Sequence, residues 1–277
     1  MRNILCVLAV TVIASSCTRH ADYPTRNFSW TGDVAPGATV RVNNVDGPIA
    51  VLASTTNKLT VDAVIVNASP TAVQVKQAMS GNDIFFCTLF NSSAAASCAP
   101  GKHQHSTSFS PFSFFSRRHP ITVRYTVHLP EGVNIGVETV NGKVVAQNIG
   151  GNLKAVTVNG DVVASTTKGT VNAETVNGSI IASMAQLPDS GDVHLETVNG
   201  SITTVIPEGI GGAIDLENAN GSIIANYPHA GADSANTDKH HMRFKLDDGA
   251  RRVHLETVNG SVNLTKYVKT AAVSLLN

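Results

Sequence analysis

Charge is scarce in this chain of 277 residues. Only 14% of the residues are charged, and 20 Lys and Arg balance 20 Asp and Glu, so the formal net charge is zero. Proteins that bind nucleic acid normally present a basic surface, because neutralising phosphates supplies much of their affinity. The sequence therefore predicts no nucleic-acid partner.

Long apolar runs and catalytic motifs are also missing. After the N-terminus no stretch reaches the roughly 20 apolar residues that a membrane-spanning helix needs. The chain contains no Gly-x-Ser-x-Gly, His-Glu-x-x-His or phosphate-binding loop. Val, Ile, Thr, Ala, Asn and Gly abound instead, a composition typical of strands and turns. We expect an all-β protein.

The N-terminus is typical of a targeting segment. Arg2 precedes an apolar core, Ile4–Ala14, that is too short for a stable membrane span, which predicts a signal peptide over residues 1–16. The small residues before Cys17 resemble a bacterial lipobox, although Ala14 stands where that motif prefers Leu. We therefore expect Cys17 to carry lipid; the alternative is ordinary cleavage and secretion.

The chain has four cysteines, and the odd number that remains after signal cleavage supports lipidation of Cys17. Cys6 leaves with the signal peptide, and lipidation of Cys17 leaves Cys87 and Cys98 to form a disulfide in an oxidising compartment. A lipid on Cys17 anchors a protein to a membrane without spanning it. Because Thr18 follows, and not an acidic residue, the segment resembles those sorted to the outer membrane. We expect an exported cell-envelope protein, an outer-membrane lipoprotein of a Gram-negative bacterium.

A short repeat is the main positive feature. Glu-Thr-Val-Asn-Gly occurs four times, two degenerate copies fill gaps, and Val193–Ser201 recurs verbatim as Val253–Ser261. Self-similarity at a short period indicates a repeat architecture. The repeats supply six Asn-Gly turns: Asn141-Gly142, Asn159-Gly160, Asn177-Gly178, Asn199-Gly200, Asn220-Gly221 and Asn259-Gly260.

Two folds are consistent with this repeat. Apolar residues recur at fixed even offsets from each Asn, which indicates strands that bury one face. Asn-Gly between such runs favours hairpins, and hence an antiparallel β-meander, because both residues tolerate positive φ. The same residues can form left-handed corners in a parallel β-solenoid, where like side chains stack and Asn forms a ladder. We favour the solenoid, because like-on-like columns are typical of stacked repeats.

The sequence divides into four parts on this interpretation. They are a signal peptide (1–16), a polar tether after the lipidated Cys (17–30), a β-solenoid domain (31–265) with an irregular loop (91–119) and an insertion (227–252), and a C-terminal cap or tail (266–277).

The pattern also resembles a known family. Strands that lead to Pro130-x-Gly132, followed by tandem Thr-Val-Asn-Gly-x-Val/Ile units behind a lipoprotein-like signal, resemble the putative-adhesin β-solenoid family of bacterial surface proteins. The resemblance covers about residues 40–265 and is clearest over 121–265. It implies β-helix-like coils, right-handed in sense, and no catalytic residue to carry over.

Two groups of residues are candidate contacts. Glu174, Glu196 and Glu217 precede their Asn by three positions and would stack in consecutive coils, as a carboxylate row for basic ligands or cations or simply as a solvated acidic row. The second group lies on the long loop beside basic residues. It could contact a membrane interface, protein or glycan, or cover an edge of the solenoid. Its members are Phe109, Phe112, Phe114 and Phe115.

No enzymatic function is expected. The acids repeat equally along the array, whereas hydrolytic sites need carboxylates in unequal environments. His103 with His105, and His240 with His241, lie in predicted loops without matching ligand spacing, so we expect no metal and no cofactor.

The predicted function is therefore an adhesin or a binding scaffold. Its partner would be an envelope or extracellular protein or glycan, besides the membrane that holds its lipid. A self-assembling structural protein is the alternative, and a polysaccharide-active β-helix enzyme is less favoured. The oligomeric state stays open.

Overall fold

The chain forms two large sheets. The structure, a computed structural model, describes residues 23–90, 98, 121–189, 191–228, 239–246 and 250–267. Within these ranges the regular structure is 20 strands in two ten-stranded sheets, which confirms the all-β prediction. The same ranges contain no helix that is long and apolar enough to cross a membrane. The signal peptide, Cys17 and the four loop Phe residues lie outside them.

The strands follow one another in space as follows. Sheet A consists of β1 (Arg26–Asp33), β4 (Lys58–Val66), β7 (Thr122–Leu129), β3 (Ile49–Ala53), β9 (Val144–Ile149), β11 (Val162–Thr166), β13 (Ile180–Met184), β15 (Ile202–Pro207), β20 (Val262–Tyr267) and β17 (Ile223–Asn226). Sheet B consists of β18 (His241–Lys245), β16 (Ala213–Asn220), β19 (Arg252–Asn259), β14 (Val193–Asn199), β12 (Val171–Asn177), β10 (Leu153–Val156), β8 (Asn134–Glu138), β2 (Thr39–Asn43), β6 (Asp83–Phe90) and β5 (Val73–Ser80).

Each Asn-Gly turn passes the chain from sheet B to sheet A. The strand before the turn pairs in parallel with the same strand of another repeat, as Leu153 does with Val171, and the strand after it does likewise, as Val162 does with Ile180. No Asn-Gly turn closes a hairpin, so the antiparallel meander is wrong for the repeats. Antiparallel pairs join β1 to β4, β4 to β7, β5 to β6 and β16 to β18. Both a β-helix-like arrangement and a β-sandwich are compatible with these sheets.

The core lies between the sheets. Buried and exposed residues alternate along the repeat strands, because successive side chains of a strand point to opposite faces. The inward Val, Leu, Ile and Ala columns of both sheets belong to one apolar cluster. Fully burying one such Val, Leu or Ile side chain is worth about 1.5–3 kcal/mol, so the stacked columns dominate the stability of the fold.

The last repeat in the sequence is not the last layer in space. β19 pairs with β14 on one side and with β16 on the other, and β20 likewise lies between β15 and β17. The chain therefore places β16 and β17 in the outer layer, and later returns to fill the layer beneath. We call this the interleaved layer, residues 252–267.

The turn glycines are required for a different reason from the expected one. Among the described residues, the non-glycine positions with positive φ are Asn67 and Asn148, and neither belongs to a repeat turn. A Cβ on Gly160 would lie 2.2 Å from the carbonyl oxygen of Gly142, and one on Gly178 would lie 2.1 Å from that of Gly160. Close backbone approach between layers excludes side chains at the turn glycines, and among them Gly221 alone also has a positive φ, of 152°.

The turn asparagines form a continuous ladder. Each side chain donates its Nδ2 hydrogen to the Oδ1 of the next layer, over 2.6 to 3.0 Å. The ladder ends at Asp46, whose carboxylate accepts from Asn141. Threonines two positions before five of the six Asn add a second column, for example Thr175 Oγ1 to Gly160 O at 2.9 Å, and Asn218 takes that position before Asn220. The ladder runs Asn220, Asn259, Asn199, Asn177, Asn159, Asn141, Asp46.

The N-terminal part of the fold differs from its predicted division. Arg26 already begins β1 and pairs with Ile65, so residues 26–30 belong to a sheet and not to a tether. Cys87 on β6 forms a disulfide with Cys98, and both lie with Phe85 and Leu89 in a second, smaller apolar cluster.

Candidate ligand-binding face

The outer faces of the two sheets differ in charge. Strands β9, β11, β13 and β15 of sheet A contain no charged residue. In sheet B, Asp, Glu, His, Lys and Arg occupy outward positions of the repeat strands β10, β12, β14, β16 and β19. Since specific polar recognition needs oriented charged or hydrogen-bonding groups, the outer face of sheet B is the candidate site.

The charges are densest on β14, β19, β16 and β18, where pairing places them in two rows. We call this surface the His/carboxylate face. The first row crosses the four strands as His194, His254, Asp215 and Arg243. The second row crosses them as Glu196, Glu256, Glu217 and His241.

Asp215 is the centre of the first row. Its Oδ1 lies 2.8 Å from His241 Nε2, its Oδ2 accepts from Arg243 Nη2, and His254 Nδ1 lies 4.0 Å from the same Oδ2. Partial burial favours the neutral acid, but the hydrogen bonds from Arg243 and His241 outweigh it and hold the pKa of Asp215 below its usual value. Asp215 is therefore ionised at neutral pH.

The order of the glutamates across sheet B differs from the predicted order. Glu174 does pair with Glu196, but Glu256 of the interleaved layer separates Glu196 from Glu217. Like charges on adjacent strands repel, and each Glu has a basic group or an imidazole close by. The pairs are Lys154–Glu174 at 3.7 Å, His194–Glu196 at 3.2 Å, His254–Glu256 at 3.3 Å and His241–Glu217 at 3.7 Å.

Two imidazoles stack beside the acids. The rings of His194 and His254 lie nearly parallel, with centroids 5.3 Å apart and an interplanar angle of 11°. Next to them, a cleft of about 610 Å³ opens across the strand ends. Its lining consists of Asp192, Val193, His194, Ala213, Asp215, Arg243, Arg252 and His254.

The face contains a group of potential metal ligands that sequence reasoning missed. One atom each from Asp215, Glu217 and His241 can be chosen so that all three lie within 4.8 Å of one another. We predicted His241 in a loop, whereas it begins β18 directly opposite Glu217. The verbatim Val-His-Leu-Glu repeat was a usable signal for the paired histidines, but nothing in the insertion indicated a strand.

The remaining predicted site residues lie elsewhere. The six Asn-Gly pairs line the boundary between the sheets and bond to one another. The disulfide lies on β6, with β2, β8, β10 and β12 between it and β14.

Comparisons with known proteins give no family. No model of a known protein family matches the chain, and no curated protein does. Solved structures with some likeness include a putative cell adhesion protein from Clostridium sporogenes, with 12% identity over 87% of this chain and 100% of that chain, and a TM-score of 0.47. A putative adhesin from Bacteroides fragilis has 13% identity over 87% and 97%, and a TM-score of 0.34. Because these values are low, we infer neither fold nor function from them.

Proposed function

We propose that this chain is a non-enzymatic β-solenoid of the bacterial envelope that adheres to a partner protein or glycan. Its contact surface is the outer face of sheet B. A lipid on Cys17 holds it at the outer membrane, and residues 31–265 present the face. The partner is recognised by hydrogen bonds and ion pairs and not by catalysis.

The solenoid part of the proposal is supported by the strand pairing. Every repeat gives one strand to each sheet, and equivalent residues pair in parallel. Parallel strands of one sheet are joined by right-handed crossovers in nearly all proteins, so we propose right-handed coils.

The difference in charge between the two faces is the observation that carries the binding proposal. At strand spacing, the four glutamates from Glu174 to Glu217 extend over about 14 Å. Such a straight row of identical groups suits a partner with repeated basic or hydroxyl groups. A face that only kept the protein soluble would not need charge on the repeat strands of sheet B while β9, β11, β13 and β15 of sheet A have none.

Binding to isolated envelopes tests the proposal. Labelled residues 18–277 are incubated with envelope fractions of the source cell, untreated or pretreated with protease or with periodate, which destroys glycans. The test variant changes Glu174, Glu196, Glu256 and Glu217 to Gln. The control variant changes Ile181 to Thr and Thr203 to Ala on the outer face of sheet A.

Loss of binding in the Gln variant with retention in the control supports a contact face on sheet B, and the pretreatments identify the partner class. Equal binding by all three proteins, or no binding by a folded chain, contradicts it. Membrane association is tested separately: Cys17→Ser is expected to move the protein from the membrane fraction to the soluble fraction.

Self-assembly is the second candidate, and the edge of sheet A supports it. Among the described strands β17 pairs with β20 alone, and Ile224 is 49% exposed on it. An open edge strand can pair with another chain. An apparent molar mass by light scattering that rises with concentration, and that no longer rises in Ile224→Lys, would support assembly. A stable monomer at all concentrations contradicts it.

A further inference from the structure

We propose that Asp215, Glu217 and His241 form a binding site for a divalent transition-metal ion of the zinc class. The site lies on the His/carboxylate face, between β16 and β18. It does not depend on the proposed adhesion, because metal binding is measured without a partner.

Strand geometry brings the three ligands together. Asp215 and Glu217 are two residues apart on β16, so both side chains leave the same face of the sheet. His241 on β18 pairs directly with Glu217. Its Nε2 is 2.8 Å from Asp215 Oδ1 and 3.7 Å from Glu217 Oε1.

These distances are close to those of a coordinated ion. Ligands at 2.0–2.2 Å in tetrahedral geometry are separated from one another by about 3.4 Å. The two separations lie on either side of that value, so small rotations of these partly exposed side chains would admit an ion. The hydrogen bond between His241 and Asp215 would be replaced by two bonds to the metal.

The ligand types select the class of ion. Ca²⁺ prefers about six to eight oxygen ligands and Mg²⁺ keeps several waters, so neither uses an imidazole. An imidazole suits Zn²⁺ and its neighbours, Zn²⁺ also binds carboxylate oxygens, and three protein ligands leave an open position for water. We therefore assign Zn²⁺ as the probe ion.

The surroundings support the site by charge and orientation. Glu256 pairs with Glu217, which brings a third carboxylate beside the two ligands, and the Arg243 guanidinium offsets one negative charge. Arg243 bonds Oδ2 of Asp215 and leaves Oδ1 directed at His241, as outer hydrogen bonds orient metal ligands in known sites. His254 Nδ1 on β19 lies 4.0 Å from the same Oδ2 and adds a second basic group beside Asp215.

Zinc titration of metal-free residues 18–277 by calorimetry tests the assignment. The test variants are His241→Gln and Glu217→Gln, and the control is His128→Gln on β7 of sheet A. We expect the wild type and the control to bind one more equivalent of Zn²⁺ than either test variant, or the test variants to bind that equivalent at least tenfold more weakly. Circular dichroism of the metal-free proteins confirms that each variant is folded.

Thermal unfolding supplies an independent readout. Zn²⁺ is expected to raise Tm of the wild type and of the control, and to leave Tm of His241→Gln less changed, because an ion that binds the folded state stabilises it. Identical zinc stoichiometry and affinity in wild type and His241→Gln would overturn the site. Tighter binding of Ca²⁺ than of Zn²⁺ to the same residues would overturn the assigned class of ion.

Discussion

Individual residues in the repeat turns are constrained by backbone contact between layers. Gly160 approaches the carbonyl oxygen of Gly142 so closely that no Cβ fits, whereas Gly136 on β8 has ordinary space, with Arg41 atoms at 3.7 and 3.8 Å. Two glycines of one protein therefore differ sharply in tolerance to the same substitution.

Gly160→Ala tests that difference. The new methyl group meets backbone and not a movable side chain, so the layers must separate and their hydrogen bonds must lengthen. We expect a loss of about 3 kcal/mol or more in the free energy of unfolding, among the larger effects of single substitutions. Urea denaturation measures it, and Gly136→Ala should change the same quantity by less than about 1 kcal/mol. Similar losses in both variants would contradict the contact argument.

Asp46 gives a pH-dependent prediction. Burial raises the pKa of Asp46, and the hydrogen bond from Asn141 only partly opposes this. The folded-state pKa thus exceeds the unfolded value, folding takes up a proton between the two, and stability rises as the pH falls through that window. Asp46→Asn keeps an acceptor for Asn141 without the buried charge. We expect it to be more stable than the wild type at pH 7, and to lack this gain on acidification.

Thermal unfolding from pH 3 to 7 checks the effect, with exposed Asp33→Asn as the control. A variant that is less stable than the wild type at pH 7 would show that the charge of Asp46 stabilises the end of the ladder.

Among the elements, the disulfide ties Cys98 to the outer face of β6. Cys87 and Cys98 are 11 residues apart, and both are buried with Phe85 and Leu89. The loop-entropy relation for a loop of this size gives about 3 kcal/mol. We expect Cys87→Ala with Cys98→Ala to lower the free energy of unfolding by that amount. Reductant should lower Tm of the wild type and leave Tm of the doubly substituted protein unchanged. Equal Tm values for the double variant and the oxidised wild type would mean that the disulfide adds no stability.

Sequence patterns predicted some elements and not others for physical reasons. The alternation around each Asn-Gly pair, such as Val253 and Leu255 before Asn259, follows from one-sided burial and correctly indicates strands. The pattern does not determine which strands pair with each other. Leu216 and Leu255 can each pack on Leu195, so the columns do not rank β16 against β19 as the partner of β14. β18 has no repeat pattern, and among the described strands it pairs only with β16, in the antiparallel sense that the repeats do not use.

The same physical reasons explain which parts of the candidate site the sequence predicts. Outward positions of the glutamates follow from the period of a strand, so Glu174 beside Glu196 was predictable. The meeting of Asp215 with His241 and His254 depends on strand order and on an insertion, neither of which the repeat determines.

At the scale of the whole molecule, the position of the interleaved layer between two earlier layers can be tested by removing it. Without residues 253–277, β16 can pair directly with β14, because Ile214 and Leu216 match Val253 and Leu255 in type and position. Glu217 would then move from two strands away from Glu196 to one. Cysteines at adjacent strand positions, about 4.8 Å apart, can form a disulfide, whereas positions about twice as far apart cannot.

Glu196→Cys with Glu217→Cys is therefore expected to crosslink in residues 18–252 and not in residues 18–277. Glu196→Cys with Glu256→Cys in the longer chain is the positive control. The crosslinks are read by peptide mass analysis. A crosslink between positions 196 and 217 in the full chain would contradict the interleaved order, and its absence from the short chain would contradict direct pairing.

The interleaved order also has a consequence during synthesis, when the chain emerges from its N-terminus. The layers from β8 and β9 to β14 and β15 can be added one by one as they appear. The segment with β16 and β17 emerges next, but its final place depends on residues that emerge later. Until residue 267 has emerged, β16 can lie directly beside β14, so this end of the stack reaches its final order in one late step. A chain cut short before residue 253 would lack an internal layer and would keep the earlier pairing of β16 with β14.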